Sequence, residues 1–201
     1  SGLDGVSTPF VVRGLLRDQW AWTWASLRST FGARSMRVRT NYLKTSTRHF
    51  QRMKLSAYLD SIMVEPEDGQ LPKYLGNNKV PDTLLKDLKV QTPAFYGLDW
   101  KFERPSLWLG GAQTVTPLHA DHDNHGNFAC QFLGNKTWVF FPPAAEPYLY
   151  ARRSGVYWSN VIDPRAVSTK QWPLFAKAAP MAVEVNVRAG DLVYVPNHWF
   201  H

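Results

Sequence analysis

The sequence predicts a mainly β fold, a sandwich or jelly roll with flanking helices. Three observations point there. From Ser106 onward, short apolar runs follow one another at close intervals. Turn signals, Gly134-Asn135 and Arg188-Ala189-Gly190-Asp191, separate them. Regular helical spacing, by contrast, occurs only ahead of residue 90.

Taken in order, Thr8–Gly14 reads as a short buried strand closed by glycine. Asp18 offers an N-cap, and Trp20, Trp24, Leu27 and Phe31 then recur at helical spacing until Gly32. Met36–Tyr42 alternates as a strand, with Arg37 and Arg39 facing away from Met36 and Val38. Ser56–Met63 is a second helix, ended by Pro66 and Gly69, and Asp82–Leu88 a third, between Pro81 and Pro93. The later strands are expected at Ser106–Leu109, Thr116–Asp121, Asn127–Leu133, Lys136–Phe141, Val183–Val187 and Asp191–Val195. Gly134-Asn135 between two of them predicts a tight hairpin. Pro142–Met181 lacks periodicity and reads as a loop insert with a helical turn, a lid or a substrate-facing wall. The expected division is an N-terminal α/β segment, 1–105, packed on a jelly-roll core, 106–201, with the insert at about 142–182.

At 201 residues, 44% hydrophobic and 14% aromatic, the chain can bury a substantial core. Its nine tryptophans suit an aromatic core, more often than an aromatic-lined cleft. The single cysteine, Cys130, excludes an internal disulfide framework and thiolate zinc sites, and favours a reducing, cytoplasmic setting. No run of about eighteen apolar residues predicts a membrane span, and the first residues do not read as a signal peptide. Nucleophile-elbow, phosphate-loop and dinucleotide motifs are absent. The net charge of +7 is concentrated: Gln19–Leu59 has no acidic residue but holds Arg28, Arg34, Arg37, Arg39, Lys44, Arg48, Arg52 and Lys54. Such a block suits an acidic protein, a nucleic acid or a phosphorylated ligand, although a solvated face is the commoner outcome and no nucleic-acid motif accompanies it.

Chemistry concentrates in Thr116-Pro117-Leu118-His119-Ala120-Asp121 and Pro196-Asn197-His198-Trp199-Phe200-His201. On a strand, His119 and Asp121 share one face. A histidine from the distant segment, His198 or His201, would complete the two-imidazole, one-carboxylate facial triad of non-haem Fe(II) oxygenases. Lys136 can anchor a carboxylate as a point charge, and the Thr116 hydroxyl can donate to the same group. Asn127 and Gln131 share a strand face and can orient bound groups through their amides. His122 and His125 are more often surface histidines than ligands, and His49 has no metallic role.

The ordered set Leu107-Trp108-Leu109-Gly110, Thr116–Asp121, Asn127, Gln131, Gly134-Asn135-Lys136, Phe141-Pro142-Pro143, Gly190-Asp191 and Pro196–His201 resembles the JmjC-type, cupin-8 oxygenases. Within them it resembles the factor-inhibiting-HIF asparaginyl hydroxylase and its bacterial relatives. The likeness is dense over 106–143 and 183–201 and looser over Pro9–Gly14 and Gln70–Asp99. It implies a double-stranded β-helix that binds Fe(II), with 2-oxoglutarate and O2 as co-substrates. It implies His119, Asp121 and His201 as metal ligands and catalytic centre, with His201 chosen over His198 by the family pattern. Lys136 matches the lysine on the far carboxylate of 2-oxoglutarate, with Thr116 beside it; Tyr74 matches a tyrosine on that carboxylate, and Asn127 an asparagine near the metal. Two features depart from the pattern. The stretch from Asp121 to Asn127 is longer and carries His122 and His125, and the family continues beyond the distal histidine while this chain ends there, as a truncated jelly roll would.

The expected activity is hydroxylation of a side chain in a protein or peptide, giving succinate and CO2. A cupin metalloenzyme without 2-oxoglutarate, an RNA-modifying oxygenase and a non-catalytic jelly-roll binding module are the alternatives. A homodimer stays open.

Overall fold

The structure is a computed structural model that describes residues 6–17, 22–40, 49–64, 72–87, 105–121, 126–152 and 156–201. The chain divides into two compact units, residues 1–2 with 19–115, and residues 3–18 with 116–201. Among the described residues no helix is long and apolar enough to cross a membrane.

The first unit opens with α1 (Trp24–Phe31). Asp18 and Trp20 lie outside the described residues, and Thr23 caps this helix. Its hydroxyl accepts from Ser26 N at 3.0 Å while the Ser26 hydroxyl accepts from Thr23 N at 2.8 Å, so two otherwise orphaned donors are satisfied. A four-stranded antiparallel sheet follows, built from β2 (Ser35–Thr40), β3 (His49–Lys54), β4 (Tyr74–Lys79) and β5 (Ser106–Gly110) in the order β3-β2-β4-β5. Both β3 and β4 escape the sequence reading, because neither alternates apolar and polar residues clearly. β5, expected to open the jelly roll, pairs instead with β4, Leu75 against Leu109. Tyr42 and Leu88, the expected ends of a strand and a helix, are outside the described residues.

β2 alternates as predicted, with Met36 and Val38 buried and Arg37 exposed. Arg39 departs from that pattern at 6% exposure, its guanidinium 4.9 Å from the Trp108 ring centre. The helix α2 (Leu55–Ile62) contributes Tyr58, fully buried, whose hydroxyl donates to Leu109 O and accepts from Leu75 N at 3.1 Å. One phenol therefore ties the helix to two strands. The short α3 (Asp82–Asp87) completes the described part of this unit.

The second unit is the β structure foreseen, with β1 (Phe10–Val12), β6 (His119–Ala120), β7 (Asn127–Cys130), β8 (Asn135–Phe140), β9 (Ala151–Arg152), β10 (Tyr157–Ser159), β11 (Val183–Arg188) and β12 (Leu192–Val195). One sheet runs β1-β12-β7; β8 pairs with β11, and β10 lies between β6 and β9. The Gly134-Asn135 hairpin does not form. β8 takes β11 as its partner, Val183↔Phe140 through Arg188↔Asn135, while β7 takes β12, Leu192↔Cys130 through Val195↔Asn127. The same two stretches of chain thus pair in both sheets, as a ribbon folded over at its middle. Gly134 (φ +67°) and Gly190 (φ +98°) supply the corners, a backbone region that costs glycine little. Gln131 and the second corner stay joined there, Gln131 N to Asp191 O at 3.0 Å and Gly190 N to Gln131 O at 2.8 Å. The turn chemistry is legible, but a glycine corner between sheets and a hairpin look alike from sequence. Between the sheets Phe140, Val187, Val193 and Val195 form a buried cluster with Val11, Ala129 and Trp138 against it.

The segment 142–182 is more ordered than the expected loop insert. It holds a 3-10 turn (Pro143–Tyr148), β9, β10 and α4 (Phe175–Ala178). Ala145, Leu149, Val161, Phe175 and Ala178 from it pack with Leu118, Ala120, Phe141 and Phe200 as a second core.

Asp191 fastens the N-terminal strand to the second corner. Its buried carboxylate accepts from Gly14 N at 2.9 Å, Arg188 N at 3.0 Å and Arg13 Nη1 at 2.6 Å. Burial alone would push this carboxyl up; the two amides and Arg13 outweigh it and hold it below the usual range. Asp191→Ala strands two backbone donors, so a loss of roughly 1–3 kcal/mol is expected in denaturant unfolding. An unchanged midpoint would show that the corner holds without it.

Candidate metal centre

The backbone ladder itself delivers the site. His119 N donates to His201 O at 3.0 Å and His201 N to His119 O at 2.7 Å, so the two histidines are cross-strand neighbours. One residue earlier, Phe200 exchanges the same pair of bonds with Phe141, at 2.9 and 3.0 Å. Residues 200–201 therefore lie between β6 and the end of β8. Alternation sorts the side chains: Leu118, Ala120, Phe141 and Phe200 enter the core built with the insert, while His119, Asp121 and His201 take the other face.

One ligand atom from each of His119, Asp121 and His201 falls within 4.8 Å of the others. Asp121 Oδ1 is 3.7 Å from His119 Nε2, and Oδ2 is 3.8 Å from His201 Nε2, too far for hydrogen bonds. Each imidazole is oriented from behind. His119 Nδ1 lies 2.9 Å from Pro117 O and His201 Nδ1 lies 3.0 Å from Trp199 O; a carbonyl only accepts, so both rings carry their proton on Nδ1. The Nε2 lone pairs are left facing the carboxylate.

The rings are also held neutral. Burial, helped by the neighbouring His201, brings His119 down to about 4 despite the opposing pull of Asp121. Burial brings His201 to about 4 as well, with the charge of Lys136 acting in the same direction. Neutral imidazoles and a carboxylate thus point acceptors at one another without a proton between them, an arrangement that a cation resolves. The donor set fits a divalent metal. The Asp121 side chain is 32% exposed, leaving one side open, and Asn127 Nδ2 donates to Asp121 Oδ2 at 3.3 Å.

Two tryptophans wall the histidines. Trp158, paired with His119 across β6 and β10, stacks on its ring at 4.7 Å and 15°; Trp138 stacks on His201 at 5.7 Å and 25°. Lys136, Trp138 and Phe140 share the inner face of β8, with Lys136 Nζ 4.6 Å from the Trp138 ring centre. Trp138 Nε1 is buried with no acceptor among the described residues, a donor left for a bound group. Both walls escape the sequence reading. Trp138 is two residues from Lys136 on a strand, a readable signal; Trp158 sits in the aperiodic insert and gives none.

The remaining candidates divide. Thr116 is half-buried, three residues ahead of His119. Gln131 Nε2 donates to Leu133 O at 2.8 Å, so that amide serves its own turn. His198 is exposed with φ +64° and stands outside the group of three. His122 and His125 lie outside the described residues. Tyr74 is on β4 of the first unit, 4% exposed, its ring 5.6 Å from that of Trp108. Burial pushes the Cys130 thiol up to about 11, so it stays protonated and takes no thiolate role.

Residues 5–201 match the family described as Cupin-like domain. Among curated proteins the chain is 34% identical over 125 residues to human HSPB1-associated protein 1, covering 59% of this chain and 24% of that protein. It is 31% identical over 140 residues to the human bifunctional peptidase and (3S)-lysyl hydroxylase JMJD7, covering 59% and 43%. To human 2-oxoglutarate and iron-dependent oxygenase JMJD4 it is 28% identical over 131 residues, covering 59% and 31%. The chain therefore spans less than half the length of these relatives. With the family match running over almost all of it, and the pairing of His119 with His201 bringing a His–Asp–His group together, this chain belongs to the cupin-like domain family.

Proposed function

We propose that the protein is an Fe(II)- and 2-oxoglutarate-dependent oxygenase that hydroxylates a side chain of a protein or peptide. The observation that carries this reading is the convergence of two Nδ1-protonated, neutral histidines and Asp121 on one point. Relatives whose names specify 2-oxoglutarate, iron and lysyl hydroxylation support it. Iron held by His119, Asp121 and His201 would supply the oxidising chemistry, with 2-oxoglutarate and O2 consumed and succinate and CO2 released.

The chain's own residues do the positioning. Lys136 offers its ammonium to the far carboxylate of 2-oxoglutarate, and Thr116 its hydroxyl. Trp138 adds an indole N–H, and its ring, with that of Trp158, keeps water from the backs of the two imidazoles. Asn127 steadies Asp121. Tyr74 is assigned to the same co-substrate carboxylate by resemblance alone, and Tyr74→Phe tests it.

Succinate release that requires Fe(II), 2-oxoglutarate and O2 together is the expected result, with an oxygen atom added to a candidate peptide by mass spectrometry. O2 uptake indifferent to 2-oxoglutarate would point instead to a cupin metalloenzyme of another kind. Lys136→Ala should weaken anaerobic 2-oxoglutarate binding by about 30-fold or more, roughly 2 kcal/mol, because a desolvated carboxylate loses its partner. Metal affinity should stay within a few-fold of wild type. Wild-type co-substrate affinity in that variant would remove Lys136 from the site.

A further inference from the structure

We propose that the outward face of the first unit's sheet is a docking groove for an acidic segment of the polypeptide on which the protein acts. The groove encloses about 390 Å³ and is lined by Arg34, Arg37, Arg52 and Lys79 with Ser35 and Asn78 between them. Four cations on an exposed face are ordinary by number; their arrangement is not. Three arginines elsewhere in the described chain meet carboxylates, Arg13 with Asp191, Arg28 with Asp60 and Arg165 with Glu184. Among the described residues none of the four groove cations does. The register also sets Arg37 directly opposite Arg52 on β2 and β3, and like charges in that position destabilise a sheet. Asn78 fixes one of them: it accepts from Arg37 N at 3.1 Å and donates to Arg37 O at 2.8 Å, clamping the backbone that carries the guanidinium. An unneutralised, self-repelling pair held in register is what an external anion would relieve.

The lining selects among anions. A single-stranded nucleic acid would want bare aromatic faces for its bases. The two exposed rings on this sheet already carry guanidiniums, Arg37 at 3.9 Å over Phe50 and Arg39 at 4.9 Å over Trp108. What the groove offers instead is exposed positive charge on Arg34, Arg52 and Lys79, which suits carboxylates. Along β3, Arg52 and Lys54 stand two residues apart on the same outward face, about 6.5–7 Å, the spacing of alternate side chains on an extended peptide. The ligand is therefore an extended segment with acidic residues at alternate positions. Naming it as part of the substrate rests on the hydroxylase reading above.

The test uses the full chain and a fluorescein-labelled peptide with glutamate at alternate positions, read by anisotropy. Binding that weakens with salt, and by at least about tenfold in Arg52→Glu, supports the groove. The variant also answers whether the fold is intact: its new carboxylate would face Arg37, so its Tm should equal or exceed that of wild type. No binding to the wild-type chain, or binding unchanged in a folded Arg52→Glu protein, overturns the proposal. Tighter binding of an oligouridine that is lost in the same variant overturns it in favour of nucleic acid. Anaerobic binding of Fe(II) with 2-oxoglutarate is measured in parallel. If that is intact in both proteins while peptide binding is absent, the groove alone is refuted; if it is absent from wild type, the oxygenase reading falls and the groove stands on its own measurement.

Discussion

Asp121→Asn should bind divalent metal more than about 100-fold less tightly than the wild type, yet be the more stable protein when metal is absent. The first half follows from ligand chemistry. Changing a group that merely orients a ligand costs 10–100-fold, so removing the sole anionic donor costs more. The second half follows from the tautomers. Both Nε2 atoms present lone pairs to a carboxylate that can only accept, at 3.7 and 3.8 Å. An amide at the same place can donate to one of them and still accept from Asn127. Each buried acceptor so satisfied is worth about 1 kcal/mol. The measurements are a metal titration and thermal unfolding in chelator; succinate release should vanish. Excess metal should raise the Tm of the wild type and leave that of Asp121→Asn where it was, since only the wild type gains from binding to the folded state. Retained metal affinity in the variant, or a lower Tm in chelator, would remove the converging lone pairs from the account of this site.

The triad is legible because its logic is local. His119 and Asp121 lie two apart, on β6 and just past its end, and His201 ends the segment that repeats the family's order of proline, tryptophan and histidine. What cannot be read is the pairing that makes them neighbours, since nothing in residues 196–201 announces that Phe200 goes to Phe141 and His201 to His119. The apolar alternation of β8 and β12 is likewise visible, but their partners lie across the sheet corners and far along the chain. Short-range turn signals favour a hairpin, whereas burying β12 on both faces between β1 and β7 requires the longer connection. Trp158 shows the same limit at the site itself: it stacks on His119 from a segment whose sequence carries no period at all. In the first unit the charge of the block between Gln19 and Leu59 is plain, but that Arg37 faces Arg52 depends on β3, a strand without a readable pattern.

Acid should unfold the metal-free protein well above the pH at which carboxylates alone would fail. In the unfolded chain His119 and His201 titrate near 6.5. In the folded chain burial brings both to about 4. Between those values the unfolded state binds more protons, so stability falls as pH drops from about 6.5 to about 4, is complete above that window, and declines no further on their account below it. Each histidine fully responding loses about 1.4 kcal/mol per pH unit across the window, so moving from pH 7 to pH 5 removes on the order of a few kcal/mol from the pair. Asp191 acts in the same direction at lower pH, because its depressed carboxyl is lost only as pH falls through the carboxylate range. Bound metal needs the same two neutral Nε2 atoms, so saturating metal should carry the midpoint of acid unfolding downward. Urea unfolding in chelator at pH 7 and pH 5 measures the effect, with a His119→Gln, His201→Gln double variant as the reference that should be nearly flat between them. Equal wild-type stability at the two pH values would mean that the histidines charge without cost, and that the buried face assigned to the metal is open to water.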